Sequence, residues 1–194
     1  MQRIIWHWSG GGHKANASDK RHYHFIIEGD GTIVEGNHPP EANAVIRSPK
    51  DGSTYAAHTR GLNTGSIGIA LAAMRGATER PFSAGPSPIT EAQLDALAAL
   101  TARLCTQYGI PLQRHTVLTH AEVQPTLKVA QRGKWDIRWV PGMSGVGDPV
   151  AVGDGLRDRV ANTLLASPVD DSERLNPIAK LIQVLLSLFK RADK

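Results

Sequence analysis

Apolar and polar positions alternate along the chain in a way that predicts several short strands and a few helices. Ile4-Ile5-Trp6-His7-Trp8 is a β-prone run that stops at Ser9-Gly10-Gly11-Gly12, so it predicts a strand followed by a flexible loop. Tyr23 to Ile27 (YHFII) predicts a second strand. Glu28-Gly29-Asp30-Gly31 predicts a hairpin turn, because Asp-Gly tolerates the positive φ such turns need, and Thr32 to Glu35 returns as the partner strand. Residues 37–54 hold several Pro, Asn, Ser and Gly and predict loop. Ser66 to Leu71 is almost wholly apolar, which suits a central strand covered on both faces.

The clearest helix starts at Thr90-Glu91-Ala92-Gln93, a capping box in which the Thr hydroxyl accepts from a first-turn amide and Gln reaches back. Leu94, Leu97, Ala98, Thr101, Leu104, Cys105 and Tyr108 then share one helical face, Gly109 ends the helix and Pro111 prevents its continuation. Thr116 to Thr119 predicts a strand ending at His120, residues 121–133 with Pro125 predict an irregular excursion, and Lys134 to Ile137 predicts extended or loop structure. A second helix is predicted over Asp154 to Leu165, with Leu156, Val160 and Leu164 on one stripe. Residues 167–177 are polar and bounded by prolines, as in a linker. Ile178, Leu181, Ile182, Leu185 and Phe189 fall on one face of an amphipathic helix of about three turns within a tail over 178–194. The mixture predicts an α/β (α+β) fold, a mixed central β-sheet flanked by helices, in one domain over 1–166.

Composition narrows the class. A chain of 194 residues accommodates one full domain and an appendage, and 41% hydrophobic with 21% charged residues suits a folded core, not a disordered chain. The formal charge of +4 fits an anionic partner but selects none. The Lys and Arg residues are scattered, without a recognition helix or zinc finger, so nucleic acid is not expected as a partner. Cys105 is the only cysteine, which rules out an intrachain disulfide. The N-terminal MQRIIWHWSG lacks the basic and long apolar regions of a secretory signal, and no apolar run approaches the ~20 residues that span a bilayer.

Three polar residues stand where predicted strands end: His7, His120 and Asp136. Taken singly, each has a plainer reading, a packed or surface imidazole for the histidines and a cap or ion-pair partner for the aspartate. Together, two imidazoles and one carboxylate are a ligand set typical of catalytic zinc, which keeps its fourth position open, whereas structural zinc needs a closed and usually thiolate-rich set. Cys105 lies on the apolar face of the capped helix and reads as core packing. Lys134 lies two residues before Asp136, and in extended chain such side chains share a face. A cation there would offset the ligand carboxylate and hold negative charge on a carbonyl oxygen. The plainer alternative is a solvated lysine in the basic run Gln131-Arg132-Gly133-Lys134.

Several blocks recur in a recognisable order: IIWHWS, YHFIIEGDGTIVEG, AAHTRGLNTGSIGIAL, the capped helix, VLTHAEV and KWD. From about Ile4 to about Trp139 the chain resembles the zinc-dependent N-acetylmuramoyl-L-alanine amidases, a family that includes phage lysozyme-amidases, the bacterial wall-recycling amidase and animal peptidoglycan recognition proteins. The resemblance implies one zinc ion held by His7, His120 and Asp136, with Lys134 beside the open metal position and Tyr23 opposite it. Some members carry a Glu on the strand matching SIGIAL. Here that position aligns with Ala70, which pushes the acid–base role toward Tyr23 and Lys134, as in the phage endolysin-like branch. The interval from His120 to Asp136 is long for the family, and Glu122 is the nearest alternative carboxylate. His58 and Asn63 fall in a block that resembles the substrate-side loop, and His13 in its Gly-rich loop is a further candidate substrate contact. His24 alternates with Tyr23 and is expected to be packed.

The expected function is hydrolysis of the amide between N-acetylmuramic acid and the L-alanine of the peptidoglycan stem, by a monomeric phage endolysin. It would be made in the host cytoplasm without a signal peptide and act in the periplasm or cell wall. Alternatives are a non-catalytic peptidoglycan receptor on the same scaffold and a bacterial wall-recycling amidase. A glycosidase would need two carboxylates across a cleft, and no persuasive pair stands out. The 178–190 segment either covers the domain's apolar surface or, flanked by Lys180, Lys190, Arg191 and Lys194, makes peripheral contact with anionic lipid.

Overall fold

The computed structural model describes residues 1–46 and 54–166. The apolar runs form one five-stranded sheet from β1 (Arg3–Trp8), β2 (Phe25–Ile27), β3 (Ile33–Glu35), β4 (Ser66–Leu71) and β5 (Val117–Thr119), in the order β3-β2-β4-β1-β5. The sheet is mixed, as expected. β1 runs parallel to β4 and β5, β2 parallel to β4, and only the β2–β3 hairpin is antiparallel. Its turn is closed by Asp30, whose Oδ1 accepts from the Thr32 amide at 3.0 Å, and by Gly31 at φ +87. β4 is buried along its whole length, which is why it reads as continuously apolar and not alternating.

Among the described residues four α-helices accompany the sheet: α1 (Ala17–His22), α2 (Glu91–Tyr108), α3 (His120–Leu127) and α4 (Pro149–Ala166). The expected cap of α2 is present: Thr90 Oγ1 accepts from the Gln93 amide at 3.1 Å, and Gln93 Oε1 accepts from the Thr90 amide at 3.1 Å. Gln93 is fully buried, and its Nε2 donates to the carbonyls of Ile27 and Ala72, tying the helix start to the ends of β2 and β4. Trp6 donates its indole N–H to Thr101 on α2 at 3.0 Å. Side chains alternate along β1, so Ile5 and His7 point to the opposite face. There Ile5, Leu118 and Val123 of α3 form a small core with Leu62, Leu127 and Val129 packed against it.

Three helices depart from the pattern reading. Residues 121–133 are not irregular throughout, because α3 occupies His120–Leu127. Thr119 and Glu122 form its capping box, and Pro125 removes one intrahelical N–H, which helps keep it short. α1 sits in the stretch after the Gly-rich loop, capped by Asn16 and Asp19 in the same reciprocal way. α4 starts at Pro149, earlier than the apolar stripe suggests, with Asp148 Oδ1 accepting from the amides of Val150 and Ala151.

The chain divides into two units, Met1–Thr163 and Leu164–Lys194. The first contains the sheet, His7, His120 and Asp136. The expected linker over 167–177 and amphipathic tail over 178–194 lie outside the described residues. No helix among the described residues is long and apolar enough to cross a membrane.

Candidate metal centre

The parallel pairing of β1 and β5 sets Trp6 opposite Thr119, so the residues that follow, His7 and His120, emerge side by side at the same end of the sheet. Their Nδ1 atoms are 3.0 Å apart. Asp136 Oδ2 lies 3.2 Å from His7 Nδ1 and 3.0 Å from His120 Nδ1, closing a near-equilateral triangle. Asp136 arrives from a loop whose backbone is pinned to the start of α3, its carbonyl accepting from the Ala121 amide at 2.7 Å. All three side chains are buried.

The donor set fits a metal ion. A tetrahedral ion with ligand bonds of about 2.0–2.1 Å separates its ligands by about 3.3–3.4 Å, within a few tenths of an ångström of the edges found here. The far ring nitrogens are engaged elsewhere: His120 Nε2 is 3.0 Å from Gln131 Oε1, and His7 Nε2 is 3.2 Å from His58 Nδ1 and 3.3 Å from Thr59 Oγ1. With the imidazole protons on those far nitrogens, two lone pairs and a carboxylate face one another, an arrangement that needs a positive centre between them. Burial and the neighbouring His120 push the His7 imidazole down to about 4, against the opposing pull of Asp136, so it is neutral near pH 7, as a ligand must be. Burial pushes the Asp136 carboxyl up, but its contacts with His120 and His7 outweigh burial and hold it below the usual carboxylate range.

The fully buried His7 lies directly beneath His120 and Asp136, which line a cleft of about 410 Å³. Tyr23 and Lys134 both line it, the tyrosine ring centroid 5.2 Å from that of His7 and the lysine exposed. Burial, with the charge of Asp136, pushes the Tyr23 phenol upward, so it remains protonated at neutral pH. Arg60 and Arg132 add further cationic groups to the lining, and Trp8 supplies an apolar wall, with Trp135 edge-on behind it at 4.6 Å.

The remaining sequence candidates occupy different places. His58 touches the cleft but is 8% exposed and lies behind His7, with its own charge disfavoured mainly by burial. Asn63 accepts from the amides of His58 and Thr59 at 3.0 and 2.8 Å, bracing the loop that carries them. His13 meets the Pro88 carbonyl at 2.7 Å and is not among the residues lining the cleft. His24 is buried, its Nδ1 accepting from the Gly68 amide at 2.9 Å. Cys105 is buried on α2. Glu122 points away from the triad and pairs with Arg157 at 2.8 Å, so it is not the third carboxylate. Gln131 and Thr59 are the polar residues at the centre that sequence reading passes over. Nothing local marks them, since their role depends on contacts with residues far away in sequence.

The family model described as N-acetylmuramoyl-L-alanine amidase matches residues 1–142. No curated protein matches the sequence. Solved structures are similar at a distance. The N-acetylmuramoyl-L-alanine amidase LysC from Clostridium intestinale is 20% identical, with 66% of this chain covered and 86% of that one, at a TM-score of 0.40. AmiD from E. coli, solved with anhydro-N-acetylmuramic acid-L-Ala-D-gamma-Glu-L-Lys, is 20% identical, with 71% and 52% covered and a TM-score of 0.46. The Ph2119 endolysin from a Thermus scotoductus bacteriophage is 17% identical, with 79% and 82% covered and a TM-score of 0.43.

Proposed function

The chain belongs to the N-acetylmuramoyl-L-alanine amidase family, and from that premise we propose that it is a zinc-dependent hydrolase of the amide between N-acetylmuramic acid and L-alanine in peptidoglycan. The observation that carries this reading is the convergence of His7 Nδ1, His120 Nδ1 and Asp136 Oδ2 within 3.0–3.2 Å, with His120 and Asp136 lining a cleft. His7, His120 and Asp136 would hold the zinc, which when bound would supply a Lewis acid and lower the proton affinity of water. Lys134, at the cleft wall, places an ammonium where negative charge grows on the carbonyl oxygen and stabilises it. Tyr23, kept protonated by burial, orients the attacking water and passes a proton toward the leaving alanine nitrogen. Ala70, paired with His7 across β4 and β1, offers no carboxylate for this work.

Digestion of purified peptidoglycan tests the reading. Zinc-loaded protein is expected to release new alanine amino termini without new reducing sugar ends, and chelation is expected to stop release until zinc is restored. New reducing ends without alanine termini, or a zinc-loaded protein that releases neither, contradict it.

Within the family we assign the chain to the phage endolysins, a monomer made in the host cytoplasm and acting on the wall. The support is Ala70 at the position where some members carry a Glu, as in the phage-like branch. Production in Gram-negative cells whose inner membrane is then permeabilised is expected to cause lysis, and continued integrity of those cells contradicts the assignment. The same reading gives residues 178–190 a contact with anionic lipid. Liposome binding that survives deletion of every residue after Pro177 rejects that contact.

A further inference from the structure

Behind each ligating imidazole stands a buried hydrogen-bond acceptor. We propose that Gln131 and His58 are positioning residues that lock His120 and His7 in the tautomer with the proton on Nε2, and so set how tightly the centre holds its ion. The proposal rests on the metal-centre reading above and extends it to residues that touch neither ion nor substrate.

Gln131 is 4% exposed, and its side-chain amide is oriented by what surrounds it. Its Nε2 donates to the carbonyls of Arg60 at 3.0 Å and Val129 at 3.3 Å, two groups that can only accept. That leaves Oε1 facing His120 Nε2 at 3.0 Å. An amide oxygen cannot donate, so the proton of this contact sits on His120, and the lone pair sits on the Nδ1 that faces His7 and Asp136. The Gln131 backbone N–H donates to Gln124 Oε1 at 3.0 Å, anchoring the same loop to α3, the helix that His120 begins.

His58 does the corresponding work for His7. Its Nε2 faces the Ser66 carbonyl at 3.4 Å, which places its proton there and leaves Nδ1 as the acceptor. His7 Nε2 lies 3.2 Å from that Nδ1. Thr59 Oγ1 is 2.9 Å from the same atom and 3.3 Å from His7 Nε2, so the His7 proton is received by the pair, directly or through the hydroxyl. The local sequence is shaped to bring this ring in. A Cβ on Gly68 would stand 2.5 Å from His58 Cγ, and Asn63 braces the backbone amides of His58 and Thr59. Hydrogen bonds of this kind fix ring orientation and raise ligand basicity, and their loss typically costs about 10–100-fold in metal affinity.

The test uses the full chain, Zn²⁺ competed against a chelator, and ¹⁵N–¹H spectra of the zinc-loaded imidazoles. In the wild type both His7 and His120 are expected to show a protected Nε2–H. Gln131→Leu, similar in volume but unable to accept, is expected to weaken zinc about 10–100-fold and expose the His120 proton to exchange while leaving that of His7 protected. His58→Leu combined with Thr59→Val is expected to act on the His7 proton in the same way, and His58→Asn, which returns a carbonyl near the site of Nδ1, to restore it. A folded Gln131→Leu with wild-type affinity overturns the proposal, as does a zinc-loaded wild type with a proton on either Nδ1. If Gln131→Leu does not fold, the wild-type spectrum and the His58 variants decide. A wild type that binds no zinc overturns the metal-centre reading and this inference with it, whereas a zinc-binding wild type indifferent to these substitutions overturns the inference alone.

Discussion

His7 and His120 are 113 residues apart in sequence, yet their Nδ1 atoms lie 3.0 Å from each other. Register produces this meeting: β1 and β5 run parallel with Trp6 opposite Thr119, so the next residue of each strand lands beside the other. The centre is therefore built at the buried ends of two neighbouring strands, and the Asp136 loop, pinned to the start of α3, supplies the third side chain. Several consequences can be measured.

Lys134 lines the cleft, is exposed and holds none of the fold together, so its removal should touch chemistry alone. Lys134→Met is expected to keep its metal and its melting temperature while kcat on peptidoglycan falls by about 10²–10³. Tyr23→Phe is expected to lose turnover on the scale of a lost general acid, about 10²–10⁴. Metal analysis beside steady-state rates checks both, and full activity in either variant removes that residue from the mechanism.

Gly68 is required because of His58, not because of its own backbone. Its added Cβ would meet the His58 ring at 2.5–2.9 Å, with no positive φ involved. Gly68→Ala should therefore displace the ring that backs His7 and weaken zinc by roughly tenfold or more. Gly155→Ala on α4 meets nothing within 4 Å and serves as the control, with unchanged zinc affinity. Equal affinities in the two variants would contradict this account of Gly68.

Glu122 is fully buried at the first turn of α3, held by Arg157 at 2.8 Å and by the Thr119 amide at 2.7 Å. Arg157→Leu leaves that carboxylate without its cation in the turn that presents His120. Urea unfolding is expected to register a loss of about 3–5 kcal/mol. A loss below 1 kcal/mol would mean that the pair contributes little to holding α4 against the site.

Asp154 receives Arg114 at 2.6 Å and Arg157 at 2.7 Å, and these contacts hold its carboxyl down at about 2. A folded pKa below the unfolded one gives stability that is present above the unfolded value near 3.8 and is lost as pH falls through about 2. Wild type is accordingly expected to be more stable than Asp154→Asn at neutral pH. The difference should shrink as pH drops from about 4 toward 2, and should be smaller in high salt. A gap that stays constant across that window would show that the carboxylate charge is not its source.

Much of this was legible in the residues because strong local signals carried it. The unbroken apolar run Ser66–Leu71 is the central strand, and Thr90 with Gln93 marks the start of α2. His7 and His120 stand at the ends of predicted strands. The short helices were hidden for a physical reason. Six residues in α1 and eight in α3 are too few to display a helical period, and Pro125 argues for loop. Only the capping spacings Asn16 to Asp19 and Thr119 to Glu122 announce them. Gln131 was beyond local reading, because its orientation is set by Arg60, 71 residues away. His58 reads as a substrate-side loop residue in the sequence, whereas Gly68 admits its ring against β4, where it backs His7.

The most direct measurement is a zinc titration of metal-stripped wild-type chain beside His120→Ala and Asp136→Ala. Wild type is expected to bind one zinc per chain, and each variant, if folded, to lose tight binding together with its release of alanine termini from peptidoglycan. Wild type that takes up no zinc, or variants that bind it as wild type does, would contradict the assignment of His7, His120 and Asp136 to a single metal centre.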